Sequence, residues 1–278
     1  MSIDRSLNIR IDKYDVKQIA EGIYKINEYN LTTMFVIVGS KRALAIDCGT
    51  GVGDYKAVIE GITKLPYDLA ITHAHVDHIG GRGQFEKMYL SKTDSALIKD
   101  VTVSARKGYI SVMKYLMMFK VVRWKDAKCE RVQKEPEIEF IKEGDVFDLG
   151  GKTIKVFETP AHTQGSLSYL AVEDKILFSG DILNPNNLMF LKGASTIEEM
   201  RDSLIRVRNM DKYDTMWASH LSEPLSRETI DNGVKCAEKL SRRHNFLPLI
   251  FIGKHKDFSI IHLTSKYRKK KVAENFAN

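Results

Sequence analysis

The chain has 278 residues, of which 43% are hydrophobic, and its net charge at neutral pH is +7. This composition allows a large buried core and excludes a disordered chain, so we expect one domain over residues 1–278. No run of about 18 apolar residues occurs and the first residues carry no apolar segment, so we expect a cytoplasmic protein without a membrane partner. Three widely spaced cysteines, Cys48, Cys129 and Cys236, argue against a disulfide framework and for a reducing compartment.

Apolar runs bounded by turn residues predict a first group of strands at residues 34–38, 43–46 and 69–72, with a helix over 54–62. A second group of strands is predicted at 138–140, 153–157, 167–172, 176–179 and 215–218. The capping-box pattern Ser195-Thr196-Ile197-Glu198 opens a helix to about residue 209, and another helix is predicted over 226–243. Residues 247–252 and 258–263 predict a terminal hairpin that turns at 253–257. Strands followed by helices, twice over, indicate packed layers.

The segment His73-Ala74-His75-Val76-Asp77-His78, closed by Gly80-Gly81, places four metal-binding side chains within six residues. It follows a short apolar strand, and the two glycines cannot continue that strand. Alternation along extended backbone directs His73 and His75 the same way, and the turn directs Asp77 and His78 toward a neighbouring point. The segment therefore predicts a site for two metal ions.

Four more polar residues stand in turns that follow predicted strands. They are Asp47 before Cys48-Gly49, His162 between Pro160 and Gly165, Asp181 after Gly180, and His220 after Ser219. With the His-x-His-x-Asp-His cluster, this order resembles the metallo-β-lactamase superfamily over roughly residues 20–225. The resemblance implies an α+β fold, an αββα sandwich of two packed mixed β-sheets with helices on the outer faces and metals at one edge.

By the same resemblance, the ligands divide between two metal ions. His73, His75 and His162 would hold the first ion, Asp77, His78 and His220 the second, and Asp181 would bridge both. Imidazole and carboxylate suit Zn²⁺, so two zinc ions per chain are expected, and iron and manganese are compatible with the same ligands. A metal-bound hydroxide would be the nucleophile, and Asp77 would steer it and then protonate the leaving group. Asp47 would fix the loop or a ligand histidine through hydrogen bonds.

The family resemblance implies hydrolysis of an ester, thioester or lactone of a small substrate. Acyl-homoserine lactonases of the family carry a tyrosine three residues after the bridging aspartate, where this chain has Asn184, which we assign to the substrate pocket. Two alternatives stay open at this point. One is a phosphodiesterase or nuclease acting on RNA or nucleotides, and the other is a non-catalytic metal-binding or regulatory module, against which the complete ligand set argues.

Residues 91–134 predict a helical insertion into the sandwich. Tyr109, Met113 and Met117 recur there at helical spacing, and we assign them to the substrate pocket, although the apolar stripe also fits core packing or a homodimer surface. The part from Lys99 to Lys134 holds ten Lys or Arg residues against three Asp or Glu residues, which favours an anionic substrate.

The tail at residues 264–278 is basic, with Lys266 followed by Arg268-Lys269-Lys270-Lys271. Such a run is typical of a solvated terminal segment, and it also fits a handle for nucleic acid, a partner that we do not favour. A small-molecule substrate is the expected partner.

Overall fold

A computed structural model of the protein describes residues 8–11, 14–116, 134–184, 186–241, 250–255 and 258–263. The strands in these ranges are β1 Asn8–Ile11, β2 Tyr14–Ala20, β3 Ile23–Glu28, β4 Thr32–Val38, β5 Ala43–Ile46, β6 Tyr67–Ala70, β7 Lys87–Leu90, β8 Glu137–Phe140, β9 Val146–Asp148, β10 Thr153–Glu158, β11 Leu167–Ala171, β12 Ile176–Phe178, β13 Asn186–Met189, β14 Thr215–Trp217, β15 Ile250–His255 and β16 Phe258–Leu263. The α-helices are α1 Tyr55–Ile62, α2 Val76–Ile79, α3 Val103–Leu116, α4 Ile197–Asn209 and α5 Arg227–Ser241. Short 3₁₀ segments lie at Arg82–Gln84 and Lys92–Asp100.

The strands form two large mixed sheets and one small sheet. In the first sheet, β1 to β8 lie side by side in chain order, antiparallel up to β5 and parallel from β5 to β8. The second sheet has the order β14-β12-β11-β10-β9, and only its β12–β14 pair is parallel among the described strands. The small sheet has the order β13-β16-β15. The predicted α+β class with two mixed sheets is confirmed.

Alternation along the strands assigns one face of each large sheet to the space between the sheets. Phe35 and Ile37 on β4 belong to the same buried cluster as Phe178 on β12, and the Phe35 and Phe178 ring centroids are 4.7 Å apart. Val36 lies between Phe35 and Ile37 in the sequence, but it belongs to the cluster that contains α1. Leu177, which precedes Phe178, belongs to the cluster that contains α4 and α5. Because side chains alternate across a strand, this pattern produces four layers, helix, sheet, sheet and helix.

The predicted polar residues all follow the carboxyl ends of strands. Asp47 follows β5, His73 follows β6, His162 follows β10, Asp181 follows β12 and His220 follows β14. Strands β5 and β6 are parallel neighbours, as are β12 and β14, so their carboxyl ends lie at the same edge of each sheet. The sandwich thus brings residues that are far apart in sequence to one edge.

The structure corrects several predicted elements. The strand predicted at 138–140 was grouped with the second sheet, but β8 pairs with β7 in the first sheet. All four residues of β8 are exposed. Its side chains therefore have no buried face that would indicate to which sheet the strand belongs. The turn predicted at 253–257 was also wrong, because β15 continues through Gly253, which pairs with Ile260. Six strands were not predicted at all, namely β1, β2, β3, β7, β9 and β13.

The start of α4 is shifted by one residue from the prediction. Thr196, not Ser195, is the N-cap, and its side chain and that of Glu199 form the reciprocal bonds of a capping box. Ser195 instead donates a hydrogen bond from its Oγ to the carbonyl oxygen of Thr163, 3.2 Å away. Two overlapping capping-box patterns in the sequence are therefore resolved by a contact with the loop that carries His162.

The segment predicted as a helical insertion at 91–134 is described up to Leu116 and at Lys134. It contains the 3₁₀ segment at Lys92–Asp100 and helix α3. Met117 and the basic tail at 264–278 lie outside the described residues. Within the part of the chain that the structure describes, no helix has the length and apolar character needed to span a membrane.

Candidate metal centre

The loop after β6 carries the four polar residues of the His-x-His-x-Asp-His cluster. His73 lies three residues after the end of β6, and His75, in extended backbone, is the N-cap of the short helix α2, which contains Asp77 and His78. The glycines that follow are required by close packing, since a Cβ atom on Gly80 would overlap the carbonyl oxygen of Thr50. A strand end and one helical turn thus direct the four side chains to two neighbouring points.

The first group of potential ligands consists of His73, His75 and His162, whose nearest ligand atoms all lie within 4.8 Å of one another. His75 Nδ1 lies 3.0 Å from His162 Nε2, and the two rings are almost perpendicular. The other nitrogen of His75 lies 3.2 Å from the carbonyl oxygen of Lys192, which can only accept a hydrogen bond. His75 therefore carries its proton on Nε2, and its Nδ1 is free to bind a cation.

The second group consists of Asp77, His78 and His220, again within 4.8 Å. His220 Nε2 lies 3.3 Å from Asp77 Oδ2, and His78 Nε2 lies 3.8 Å from Asp77 Oδ1. The far nitrogen of His78, Nδ1, lies 2.8 Å from Asp47 Oδ2. This contact leaves His78 Nε2 facing the other members of the group.

Asp181 lies between the two groups. Its Oδ2 atom is 3.1 Å from His220 Nε2, 3.7 Å from His78 Nε2 and 3.8 Å from His162 Nε2. A third set of ligand atoms within 4.8 Å combines Asp181 with His73 and His78. The structure therefore brings all seven residues that were expected to bind metal into one continuous cluster at the edge of the sandwich.

The residues fit a metal ion because several of their buried polar atoms have no hydrogen-bond partner. Those that face the cluster are His73 Nε2, His78 Nε2 and Asp181 Oδ1. A buried polar atom without a partner costs free energy, and native proteins leave few of them unpaired. Imidazole nitrogens and carboxylate oxygens directed at a common point are the donor set that zinc and similar ions bind.

The two groups differ in protonation. Burial and the neighbouring His75 lower the pKa of His162 to about 3, and burial with the adjacent His78 lowers the pKa of His73 well below its usual value. These rings are neutral, which is the form that binds metal. For His78 and His220 burial has the same effect, but the carboxylates of Asp77 and Asp181 outweigh it and raise the pKa of both rings, that of His220 to about 10.

Asp47 contacts the cluster through its carboxylate, which takes part in several hydrogen bonds. Its backbone has φ +62°, and its carboxylate accepts hydrogen bonds from the backbone N–H of Thr72 at 2.7 Å and from the Thr72 hydroxyl. The same carboxylate lies against His78 Nδ1. Asp47 thus touches both the start of the loop and one ring of the second group.

The residues predicted for the substrate pocket lie in different surroundings. Tyr109 on α3 donates a hydrogen bond from its hydroxyl to Asp77 Oδ2 at 2.8 Å, so its ring lies at the cluster. Met113 packs beside it against a small apolar cluster that contains Ile110 and Val52. Asn184 is half-buried, three residues after Asp181, and its Oδ1 has no hydrogen-bond partner. The fourth predicted residue, Met117, is outside the described ranges.

The sequence analysis missed Asp94. Its buried carboxylate accepts hydrogen bonds from the backbone of Ala74 and from the side chain of Thr163, which flank the ligand histidines. The residue lies in a short 3₁₀ segment and belongs to no motif that would single it out. Only the three-dimensional contact identifies it.

A family model described as "Metallo-beta-lactamase superfamily" matches residues 30–220. The chain belongs to this superfamily. The resemblance on which the sequence analysis relied is therefore confirmed, and with it the prediction of a metal-dependent hydrolase. The matched residues include every potential ligand described above.

Among curated proteins, the chain is similar to the acyl-coenzyme A thioesterase MBLAC2 of Homo sapiens, with 26% identity over 64% of this chain and 70% of that protein. The protein of that name from Gallus gallus is 29% identical over 62% of this chain and 67% of its own length. A hydroxyacylglutathione hydrolase of Rhodopseudomonas palustris is 27% identical over 55% of this chain. The match spans about half of that last relative, 48% of its length.

Solved structures of the superfamily share the fold. A metallo-beta-lactamase from Erythrobacter litoralis has a TM-score of 0.59 at 16% identity and covers 83% of this chain and 99% of its own. An archaeal superfamily protein from Sulfolobus tokodaii has a TM-score of 0.55 at 20% identity, with 84% and 91% of the two chains covered. At these identities the likeness establishes the architecture.

Proposed function

We propose that this chain is a dinuclear zinc enzyme that hydrolyses an acyl thioester. The observation that carries the proposal is the cluster of two ligand groups joined by Asp181, with three buried polar atoms that face it and lack hydrogen-bond partners. The names of the relatives narrow the substrate class, because acyl-coenzyme A and hydroxyacylglutathione are both thioesters. The sequence analysis left esters, thioesters and lactones open as substrates, and we select the thioester from this set.

In the proposed centre, each ligand group holds one ion. His73, His75 and His162 would hold one zinc ion, Asp77, His78 and His220 the other, and Asp181 would contact both. When bound, the ions would act as Lewis acids that lower the pKa of water and polarise the substrate carbonyl. Asp47 would keep His78 in the orientation that presents Nε2 to the centre.

Asp77 is the proposed catalytic side chain. Burial alone would raise the pKa of its carboxyl, but the rings of His78 and His220 outweigh this effect and hold the pKa well below its usual range. Asp77 is therefore ionised and can only accept hydrogen bonds, so the expectation that it protonates the leaving group is not retained. Its Oδ2 accepts a hydrogen bond from the Tyr109 hydroxyl. Its Oδ1 is then left to orient the attacking water by accepting a hydrogen bond from it.

An ionised Asp77 suits a thioester better than an ester of an alcohol. A thiol has a pKa of about 8.5, so the leaving group can depart as a thiolate without receiving a proton first. An alkoxide is far more basic and needs a proton donor as it leaves. The charge state of Asp77 thus supports the same substrate class as the relatives do.

The proposed acyl-binding wall is the face of α3 next to Asp77. Tyr109 and Met113 pack there against the buried cluster that contains Leu31, Val52 and Ile110. Asn184, which is half-buried and three residues after Asp181 in the sequence, is the proposed polar contact. A small molecule of this kind is the proposed partner, and its anionic part would match the net charge of +7.

The test is a rate comparison on the purified, zinc-loaded protein. An acyl-coenzyme A, hydroxyacylglutathione, an aliphatic lactone and bis(p-nitrophenyl) phosphate are assayed under one condition, and the metal content is measured in the same sample. The proposal predicts the highest kcat/KM for one of the two thioesters. Preferred cleavage of the phosphodiester would instead support the phosphodiesterase or nuclease alternative, and two bound ions without turnover of any substrate would support a non-catalytic module.

A further inference from the structure

Asp94 is a buried carboxylate that lies next to the metal centre but contacts no ligand side chain in the described hydrogen bonds. It is 2% exposed, and it lies on the 3₁₀ segment Lys92–Asp100. Its Oδ2 accepts hydrogen bonds from the backbone N–H of Ala74 at 2.9 Å and from the hydroxyl of Thr163 at 2.8 Å. Its Oδ1 accepts one from the backbone N–H of Gly165 at 2.9 Å.

These three donors belong to the two loops that carry the first ligand group. Ala74 lies between His73 and His75 in the loop after β6, in the first sheet. Thr163 follows His162 directly, in the loop between β10 and β11 of the second sheet. One carboxylate therefore joins the two sheets at the point where their histidines meet.

The space around Asp94 leaves little freedom for either loop. A methyl group on Gly165 would overlap the Asp94 carboxylate, so the second loop lies directly on it. Ala74 is 1% exposed, and the rings on either side of this contact, His75 and His162, already lie 3.0 Å apart at their nitrogens. Interiors are close-packed, so a change in one loop position moves the ring that it carries.

We propose that Asp94 is a positioning residue that sets the geometry of the three-histidine group and thereby its affinity for a metal ion. The inference rests on the metal centre of the proposed function and is independent of the substrate. Removal of Asp94 leaves two buried N–H groups without their acceptor and the Thr163 hydroxyl with only Ser166 Oγ as a partner, and the loops relax apart to find new partners. The His75 and His162 nitrogens then no longer converge on one point.

A carboxylate is needed because both of its oxygens accept. In Asp94→Asn, the amide oxygen can retain Ala74 and Thr163, but the amide NH₂ then faces the N–H of Gly165, and two donors cannot pair. Asp94→Ala loses all three bonds. The structure thus predicts a graded series, with the asparagine variant between the wild type and the alanine variant.

The experiment measures the zinc affinities of the metal-stripped full chain by competition with a chromophoric chelator. Two zinc ions bind the wild type. Asp94→Ala weakens one of them by about 10–100-fold, the range found for residues that orient metal ligands, and leaves the other near its wild-type value. Asp94→Asn weakens the same ion by a smaller factor. If Asp94→Ala fails to fold, Asp94→Asn and Thr163→Val, which removes one donor, are measured for the same selective loss.

Asp174 provides a matched control. Its carboxylate accepts two hydrogen bonds from Lys152 Nζ, at 2.6 and 2.7 Å, in the turn between β11 and β12, at the far end of these strands from Asp181. Asp174→Ala is therefore expected to bind both zinc ions as the wild type does. Unchanged zinc binding by the Asp94 and Thr163 variants, or an equal loss in Asp174→Ala, would overturn the inference.

The outcomes also separate the inference from the proposed function. A wild type that binds no zinc overturns the metal centre and this inference with it. Selective zinc loss in Asp94→Ala, with no thioester hydrolysed by the zinc-loaded wild type, upholds the role of Asp94 and overturns the proposed substrate.

Discussion

The two ligand groups lie side by side, but they are built from different chemistry. The first, His73, His75 and His162, contains histidines only, and burial lowers the pKa of His73 and His162 so that these rings are neutral. The second contains Asp77, and its histidines His78 and His220 have raised pKa values because carboxylates surround them. Protons occupy the second group when no cation is present.

In the proposed dinuclear centre, this difference predicts that geometry and charge contribute unequally to metal affinity at the two positions. A neutral group binds a cation without displacing protons, so its affinity depends mainly on how well the rings converge. A group of carboxylates and protonated rings gains attraction for a cation but must first release protons. Geometry, set by Asp94 and the loops, should govern the first group, and charge, set by Asp47, Asp77 and Asp181, should govern the second.

Replacement of a ligand should have the largest effect. His162→Ala removes a buried ring of the first group, and the loss of one ion that stabilises the transition state by several kcal/mol corresponds to a fall in kcat/KM of about 10³-fold. His220→Ala should cost less, because its side chain is 25% exposed and water can take the place of the ring. Rates and zinc content are measured together, with circular dichroism to verify folding. Equal losses in the two variants would remove the distinction between the groups.

Asp47→Asn should weaken zinc at the second group by about 10–100-fold, because the amide no longer supplies an anion to His78 Nδ1. Asparagine tolerates the φ of +62° found at this position, so the backbone is retained. The chelator competition described for Asp94 measures the effect. Asp68→Asn, which removes the carboxylate paired with Arg42 at the other end of β6, is the control and should bind zinc normally.

The pH dependence should distinguish the groups without any mutation. In the metal-free protein the pKa of His220 is raised to about 10, so its ring is protonated at pH 7, and zinc must displace that proton. Affinity at the second group should therefore rise with pH, by up to about tenfold per pH unit for each proton released. Affinity at the first group should change less between about pH 6 and 8, because the pKa of His162 is lowered to about 3 and that of His73 lies well below its usual value. Two parallel pH profiles would contradict the assigned charges.

Tyr109→Phe should have the smallest effect. It removes the hydroxyl that donates to Asp77 Oδ2 at 2.8 Å and leaves the ring in place on α3. A single hydrogen bond has a net value of about 0.5–1.5 kcal/mol, so we expect kcat to fall by about 2–10-fold, with zinc stoichiometry unchanged. Tyr115→Phe on the exposed side of α3 is the control. A change in zinc affinity instead of kcat would mean that Tyr109 acts on the ligand and not on the reaction.

The residues that meet in the cluster could be identified from the sequence because they are encoded locally. His73 to His78 form one short pattern, and His162, Asp181 and His220 each stand in a turn after an apolar run. The fold class could be predicted for the same reason, since the apolar run of β4 and the capping signal near Thr196 are properties of short segments. Such signals can be recognised in the sequence without knowing which elements pack against the segment.

Features that depend on distant contacts could not be predicted. The placement of β8 in the first sheet is set by its pairing with β7, and its four exposed side chains carry no trace of it. The role of Asp94 depends on Ala74 and on Thr163, which is 69 positions away in the sequence. The shift of the α4 cap from Ser195 to Thr196 likewise depends on a contact with the loop of His162. In each case the deciding partner comes from another part of the fold.

The most direct measurement is the initial rate of acyl-coenzyme A hydrolysis as zinc is added stepwise to the metal-stripped protein. A dinuclear thioesterase predicts a rate that rises until two equivalents are bound and then levels off, because both ligand groups contribute to turnover. A rate that stays at the level of the metal-free protein at two bound equivalents would contradict the proposed function. A rate that reaches its maximum at one equivalent would contradict the dinuclear centre.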